Sequence, residues 1–173
     1  MVVTIFGSSI PLKGDFEYEE AYRLGKILGS KSISVCTGGY QGIMDAVSKG
    51  ASEYNVERIG VLVDIFNAKP SQYLSKQIVC SSLFERLTNL VELGDAYFVL
   101  PGGTGTMLEL SLVWELTNKK LINEKPIICI GQMWRKIVEQ MEERIKIENR
   151  KQNLINCFNN IEEGADYLLK IIL

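Results

Sequence analysis

The feature that most constrains this chain is a nine-residue stretch, Pro101-Gly102-Gly103-Thr104-Gly105-Thr106-Met107-Leu108-Glu109, set between two unlike runs. Before it stands Ala96-Tyr97-Phe98-Val99-Leu100, apolar and rich in the β-branched and aromatic types that suit a buried strand. After it, residues 107–116 contain no breaker and read as a helix. The glycines therefore fall where a strand ends and a helix begins. They permit a tight turn and a close approach of ligand to backbone. Thr104 and Thr106 are candidate caps for that helix, whose free N–H groups and positive dipole end suit an anion such as phosphate. Glu109 stands about one turn further along, beside whatever the glycines hold.

The same pattern occurs earlier. Ser32-Ile33-Ser34-Val35-Cys36 reads as a strand, Thr37-Gly38-Gly39-Tyr40-Gln41-Gly42 as a glycine turn, and residues 43–51 as a helix. Further strands are expected at 2–6, ending in Gly7-Ser8-Ser9, and at 58–63, 126–131 and 154–158. Helical spacing marks 15–28, 83–93, 133–147 and 162–172, with Asp15 and Ser81 or Ser82 as candidate caps. The segment from Asp64 to about Cys80 is polar, contains Pro70 and shows no period, so it reads as a long loop of the kind that often carries function. Strands apolar on both faces, alternating with helices, predict an α/β, Rossmann-like, doubly wound and mostly parallel sheet with helices on both faces. One domain is expected over residues 1–173. In such sheets ligands bind beyond the carboxyl ends of the strands, which places residues 7–9, 37–39 and 101–103 along one rim.

Composition narrows the chemistry. A formal charge of −2 gives no general electrostatic reason to expect polymeric nucleic acid as a partner. The start of the chain lacks the basic and long apolar regions of a signal peptide, and no apolar run is long enough to cross a bilayer, so a cytoplasmic location is expected. Cys36, Cys80, Cys129 and Cys157 form no Cys-x-x-Cys pair and suggest no disulfide framework; Cys36 and Cys129 sit in apolar strand-like runs as small buried thiols. The chain has no histidine, which removes Ser-His and Cys-His nucleophilic pairs and the commonest metal ligand. Acid–base chemistry falls to Asp, Glu, Lys, Tyr or Cys. Neither glycine turn has the form of a P-loop, and Gly7-Ser8-Ser9-Ile10-Pro11 does not supply the Gly-x-Gly-x-x-Gly of a dinucleotide site.

The 101–109 stretch resembles the PGGxGTxxE signature of the Lonely Guy (LOG) family, long labelled lysine decarboxylase-like. Its characterised members are nucleoside 5′-monophosphate phosphoribohydrolases, some of which release active cytokinins. Proline, both threonines and the glutamate fall in register. Residues 37–44 resemble the family's GGxxGxM turn. In the family a Met-x-x-Arg-Lys segment supplies an arginine paired functionally with the motif glutamate. Here that segment reads Leu83-Phe84-Glu85-Arg86-Leu87, with leucine in place of both methionine and lysine. The resemblance runs from the first strand to about Gly131.

What it implies is hydrolysis of the N-glycosidic bond of a nucleoside 5′-monophosphate, a cytokinin nucleotide among the candidates, to free base and ribose 5-phosphate. Arg86 and Glu109 are then the catalytic residues, and Gly38, Gly39, Gly42, Met44, Gly102, Gly103, Thr104, Gly105 and Thr106 hold the nucleotide. The resemblance implies no metal or other cofactor, and a homodimer with the active site near its interface. The blander readings are a surface ion pair of Arg86 with Glu85 or Glu92, and a solvated helical acid at Glu109. Asp45 either faces the ligand or is a helical surface acid. No lysine suggests a pyridoxal site. The alternative function is a non-catalytic nucleotide sensor or molybdenum-cofactor carrier of the same fold, which Leu87 keeps open.

Overall fold

The computed structural model describes residues 1–172. Its strands are β1 (Val2–Phe6), β2 (Ser34–Thr37), β3 (Arg58–Val63), β4 (Lys76–Cys80), β5 (Ala96–Val99), β6 (Ile127–Ile130) and β7 (Ile155–Phe158). Its helices are α1 (Phe16–Ser30), α2 (Ile43–Ala51), α3 (Leu83–Leu93), α4 (Thr104–Asn118), α5 (Gln132–Ile147) and α6 (Ile161–Ile172). All seven strands join one sheet in the order β4-β3-β2-β1-β5-β6-β7, and every neighbouring pair is parallel. The chain thus builds outward from β1 to β4, returns to the other side of β1 with β5, and builds outward again. That reversal opens a crevice between the carboxyl ends of β1 and β5.

Side-chain alternation along the strands feeds two cores. On β5, Ala96 and Phe98 face a layer formed by α1, α2 and α6, while Tyr97 and Val99 face α3, α4 and α5. Both tryptophans, Trp114 and Trp134, lie in the second layer. Trp134 also donates from Nε1 to the carbonyl of Leu100 at 3.0 Å, anchoring the end of β5 just before the glycine stretch.

Three local expectations change. The expected loop from 64 to about 80 ends at 75, because Lys76–Cys80 pairs along β3 as an edge strand. Its polar and exposed residues lack the apolar run by which the inner strands are read. The cap of α4 is Gly103, so Thr104 and Thr106 lie inside the helix and neither caps it. Asp15 does occupy the cap position of α1, but its carboxylate turns back to accept from the Leu12 N–H at 2.8 Å. Ser82 caps α3 as expected: its hydroxyl accepts from Glu85 N–H, while Glu85 accepts from Ser81 N–H at 2.7 Å.

Candidate active site

Three turns meet at the crevice. Ser8, in the turn after β1, stitches the other two together: its N–H donates to the Pro101 carbonyl at 3.1 Å, and its carbonyl accepts from Ile43 N–H at 2.9 Å. Gly42, at φ +68°, brings its Cα against this segment; a Cβ there would stand 2.4 Å from the Ser8 carbonyl oxygen. The turns enclose a cavity of about 470 Å³. The Gly103–Thr106 segment forms one wall, and Gly38, Tyr40 and Met44 contribute to the opposite side. The first helical bond of α4 runs from Met107 N–H to the Gly103 carbonyl, leaving the preceding N–H groups without helical acceptors.

Arg86 and Glu109 come together in this cavity. Arg86 projects from α3, is only 7% exposed, and donates from Nε to the Val61 carbonyl at 2.8 Å. Its Nη1 stands 3.5 Å from Glu109 Oε1. The absence of a side chain at Gly38 makes room for the guanidinium, since a Cβ there would fall 1.8 Å from Arg86 Nη2. Neither expected surface partner, Glu85 or Glu92, pairs with Arg86. Glu109 lies in the second turn of α4 with its side chain 12% exposed. Burial pushes its carboxyl up to about 7, against the opposing pull of the guanidinium. A single contact at 3.5 Å is too long to offset the lost hydration.

The family model described as SLOG cluster4 matches residues 1–159. The chain belongs to the SLOG cluster4 family. A cytokinin riboside 5′-monophosphate phosphoribohydrolase from Rhodococcoides fascians is 28% identical over 133 residues, covering 75% of this chain and 67% of that protein. A pyrimidine/purine nucleotide 5′-monophosphate nucleosidase from Escherichia coli K12 is 31% identical over 119 residues, or 64% of this chain; the match spans only 26% of that protein. These relatives bear out the LOG resemblance drawn from residues 101–109. Among solved structures, the molybdenum cofactor binding protein of Rippkaea orientalis superposes with a TM-score of 0.78 at 21% identity, over 99% of this chain and 97% of that one. The molybdenum cofactor carrier protein of Chlamydomonas reinhardtii gives 0.77 at 18%, with the same coverage. At such identities the likeness establishes the shared fold.

Within this SLOG cluster4 chain the expected site residues divide into two groups. Gly38, Met44, Arg86, Gly103, Thr104, Gly105, Thr106 and Glu109 line the cavity. Gly39, Gly42 and Gly102 stand behind it and allow backbones to approach, a Cβ on Gly102 falling 2.2 Å from Thr106 Oγ1. Leu87, in place of the family lysine, is a buried part of the lining. Asp45 neither faces the ligand space nor sits free on the surface. It accepts from Tyr18 Oη at 2.6 Å and from Ser71 Oγ at 2.7 Å, while Ser71 N–H donates to the Gly39 carbonyl.

That bridge ties the 64–75 loop to the first glycine turn and brings Phe66 to the cavity wall. The Phe66 ring lies 5.9 Å from Tyr40 and 6.0 Å from Arg86 Cζ. Tyr40 anchors the loop's start by exchanging hydrogen bonds with the N–H and carbonyl of Val63. Phe66 was not among the expected site residues, and the lining residues Ser8 and Ser9 were expected on the rim but given no role in binding. The position of Gly7-Ser8-Ser9 after the first strand was the available signal for the serines; Phe66 had none beyond its place in a long loop.

Proposed function

We propose that this protein hydrolyses the N-glycosidic bond of a nucleoside 5′-monophosphate, releasing free base and ribose 5-phosphate. The observation that carries the reading is the open N-terminal turn of α4 and the Arg86–Glu109 pair within one cavity. Backbone N–H groups at Gly103 to Thr106 receive the 5′-phosphate, where the helix dipole favours negative charge. Holding the phosphate aligns the ribose with the carboxylate. As the C–N bond lengthens, positive charge develops on the ribose, and ionised Glu109 stabilises it. Arg86, fixed by Val61, orients Glu109. Water completes the substitution at C1′ and the base leaves with a proton.

The names of the Rhodococcoides and Escherichia relatives support this substrate class. Nucleotide monophosphates belong inside the cell, so a cytoplasmic location goes with the reading. A homodimer goes with it too: Ile10, Phe84 and Leu108 are 78%, 82% and 45% exposed, and Ile10 and Leu108 also line the cavity. A self-association that buries these side chains would place the interface beside the site. The second reading is a carrier or sensor that retains a phosphorylated ligand without turnover. Apolar Leu87 in the lining favours it.

The deciding experiment measures ribose 5-phosphate release from a panel of nucleoside 5′-monophosphates, including a cytokinin nucleotide. Turnover that falls by about 100-fold or more in Glu109→Gln, with nucleotide still bound, supports hydrolysis. Tight retention of nucleotide with no release in the wild type selects the carrier.

A further inference from the structure

The β6–β7 edge of the sheet carries a second reactive arrangement that the nucleotide reading does not use. Cys129 and Cys157, 28 positions apart in the chain, occupy the same row of the parallel ladder as register partners. Adjacent strands lie about 4.8 Å apart, inside the roughly 4.4–6.8 Å Cα separation that a disulfide spans. As register partners on parallel strands their side chains share one face of the sheet, and both pack in the layer beneath α5. Cys129 is fully buried, whereas Cys157 is half-buried and lines a cavity of about 550 Å³ against α5. Arg135 and Glu139 share that cavity, and Arg135 Nη2 donates to the Cys157 carbonyl at 3.1 Å.

We propose that Cys157 and Cys129 form an oxidisable dithiol, in which Cys157 attacks a hydroperoxide and Cys129 resolves the product into a cross-strand disulfide. The electrostatics run the same way. The neighbouring Cys129 thiol and, less strongly, Arg135 pull the Cys157 thiol down, against burial and the nearby Glu139 carboxylate. Burial and the Cys157 neighbour hold Cys129 protonated.

In the first step the Cys157 thiolate attacks one peroxide oxygen. The S–O bond forms, the O–O bond breaks, and hydroxide leaves after hydrogen peroxide attack, giving a sulfenic acid. In the second, the Cys129 sulfur attacks the Cys157 sulfur, the S–O bond breaks, and the Cys129 proton leaves with the hydroxide as water. Two thiols lose two electrons in all, and one peroxide becomes two waters. The buried position of Cys129 protects it from direct attack while keeping it in contact with the sulfenic acid.

Cys36 and Cys80 supply internal controls. Both are buried, neither is a register partner of another cysteine, and burial pushes the Cys36 thiol up to about 12 and also raises Cys80.

The test treats the protein with dilute hydrogen peroxide and maps its peptides by mass spectrometry. The expected product is lighter by about 2 Da, cross-links the Cys129 and Cys157 peptides, and reverts with dithiothreitol. In Cys129→Ser, the sulfenic acid persists and dimedone labels Cys157; in Cys157→Ser neither the cross-link nor the label forms. The wild-type measurement stands alone if a variant fails to fold. Unmodified cysteines, a different cross-link, or direct conversion of Cys157 to sulfinic acid without the disulfide overturns the proposal.

Discussion

The β2–α2 turn and the β5–α4 turn both lead from a buried strand to a helix through glycines, yet an added Cβ meets different surroundings in each. In the first turn it would meet the Arg86 guanidinium at Gly38, the Leu62 side chain at Gly39 and the Ser8–Ser9 backbone at Gly42. In the second it would meet open space at Gly103 and Gly105. Only Gly102, behind the cavity, is packed, against Thr106 and Ser8. A glycine pattern thus has two physical uses here. The first turn brings parts of the protein together, and the second leaves space for a ligand. The Arg86–Glu109 pair connects the two, because Gly38 admits Arg86 while α4 presents Glu109.

Gly42→Ala should give the largest effect on folding. Its φ of +68° with ψ of −133° lies in a region that only glycine enters easily, and the new methyl would meet the Ser8 carbonyl and Ser9 backbone within 2.7 Å. Backbone strain alone costs about 1–3 kcal/mol, and the clash adds to it, for a loss of about 3 kcal/mol or more in urea denaturation. A variant within about 0.5 kcal/mol of the wild type would show that this turn is not packed as described.

The pair linking the turns gives a pH-dependent effect of similar size. Burial raises the Glu109 carboxyl from its ordinary value of 4.5 to about 7. The folded protein therefore holds that proton more tightly than the unfolded chain. Glu109 contributes its full stabilisation below about pH 4.5, and the contribution disappears as pH rises through about 7. Measured against Glu109→Gln, which cancels the other titrating groups, the wild type should lose about 3 kcal/mol across that window. Catalysis carries the opposite sign, since the ionised form is the one proposed to act. The profile of kcat/KM should rise through about pH 7; a flat profile between pH 5 and 8 would remove Glu109 from that role.

The chain's legibility follows the same division. Buried strands announce themselves because both faces are apolar, as in Tyr97-Phe98-Val99, and the register of the 101–109 stretch singled out Glu109. Arg86 was found because its segment could be aligned despite leucine at 83 and 87. Edge strand β4 was hidden because Lys76 and Gln77 need no buried pattern where solvent covers the sheet's edge. Phe66 was hidden for a different reason. Its place depends on Tyr40 holding Val63 and Asp45 holding Ser71, contacts 23 and 26 residues apart in sequence. Local pattern gives no measure of such long-range hydrogen bonds. The Cys129–Cys157 contact is likewise a product of sheet register.

Gly105→Ala should have the smallest effect on stability and the clearest contrast with Gly42→Ala. Gly105 lies in the first turn of α4, and nothing stands within 4 Å of an added Cβ. Alanine should leave the fold unchanged or stabilise it by about 0.5 kcal/mol, through lower unfolded-chain entropy and better helix propensity. The same methyl would enter the cavity beside the N–H groups proposed to receive phosphate. It should therefore weaken binding of a nucleoside 5′-monophosphate by about 10-fold, the equivalent of one disturbed hydrogen bond. Calorimetric titration read beside urea denaturation separates the two effects. Weaker binding with stability retained fits glycine left open for a ligand. A drop in stability would mean that the second turn is packed like the first, and unchanged affinity would move the phosphate away from α4.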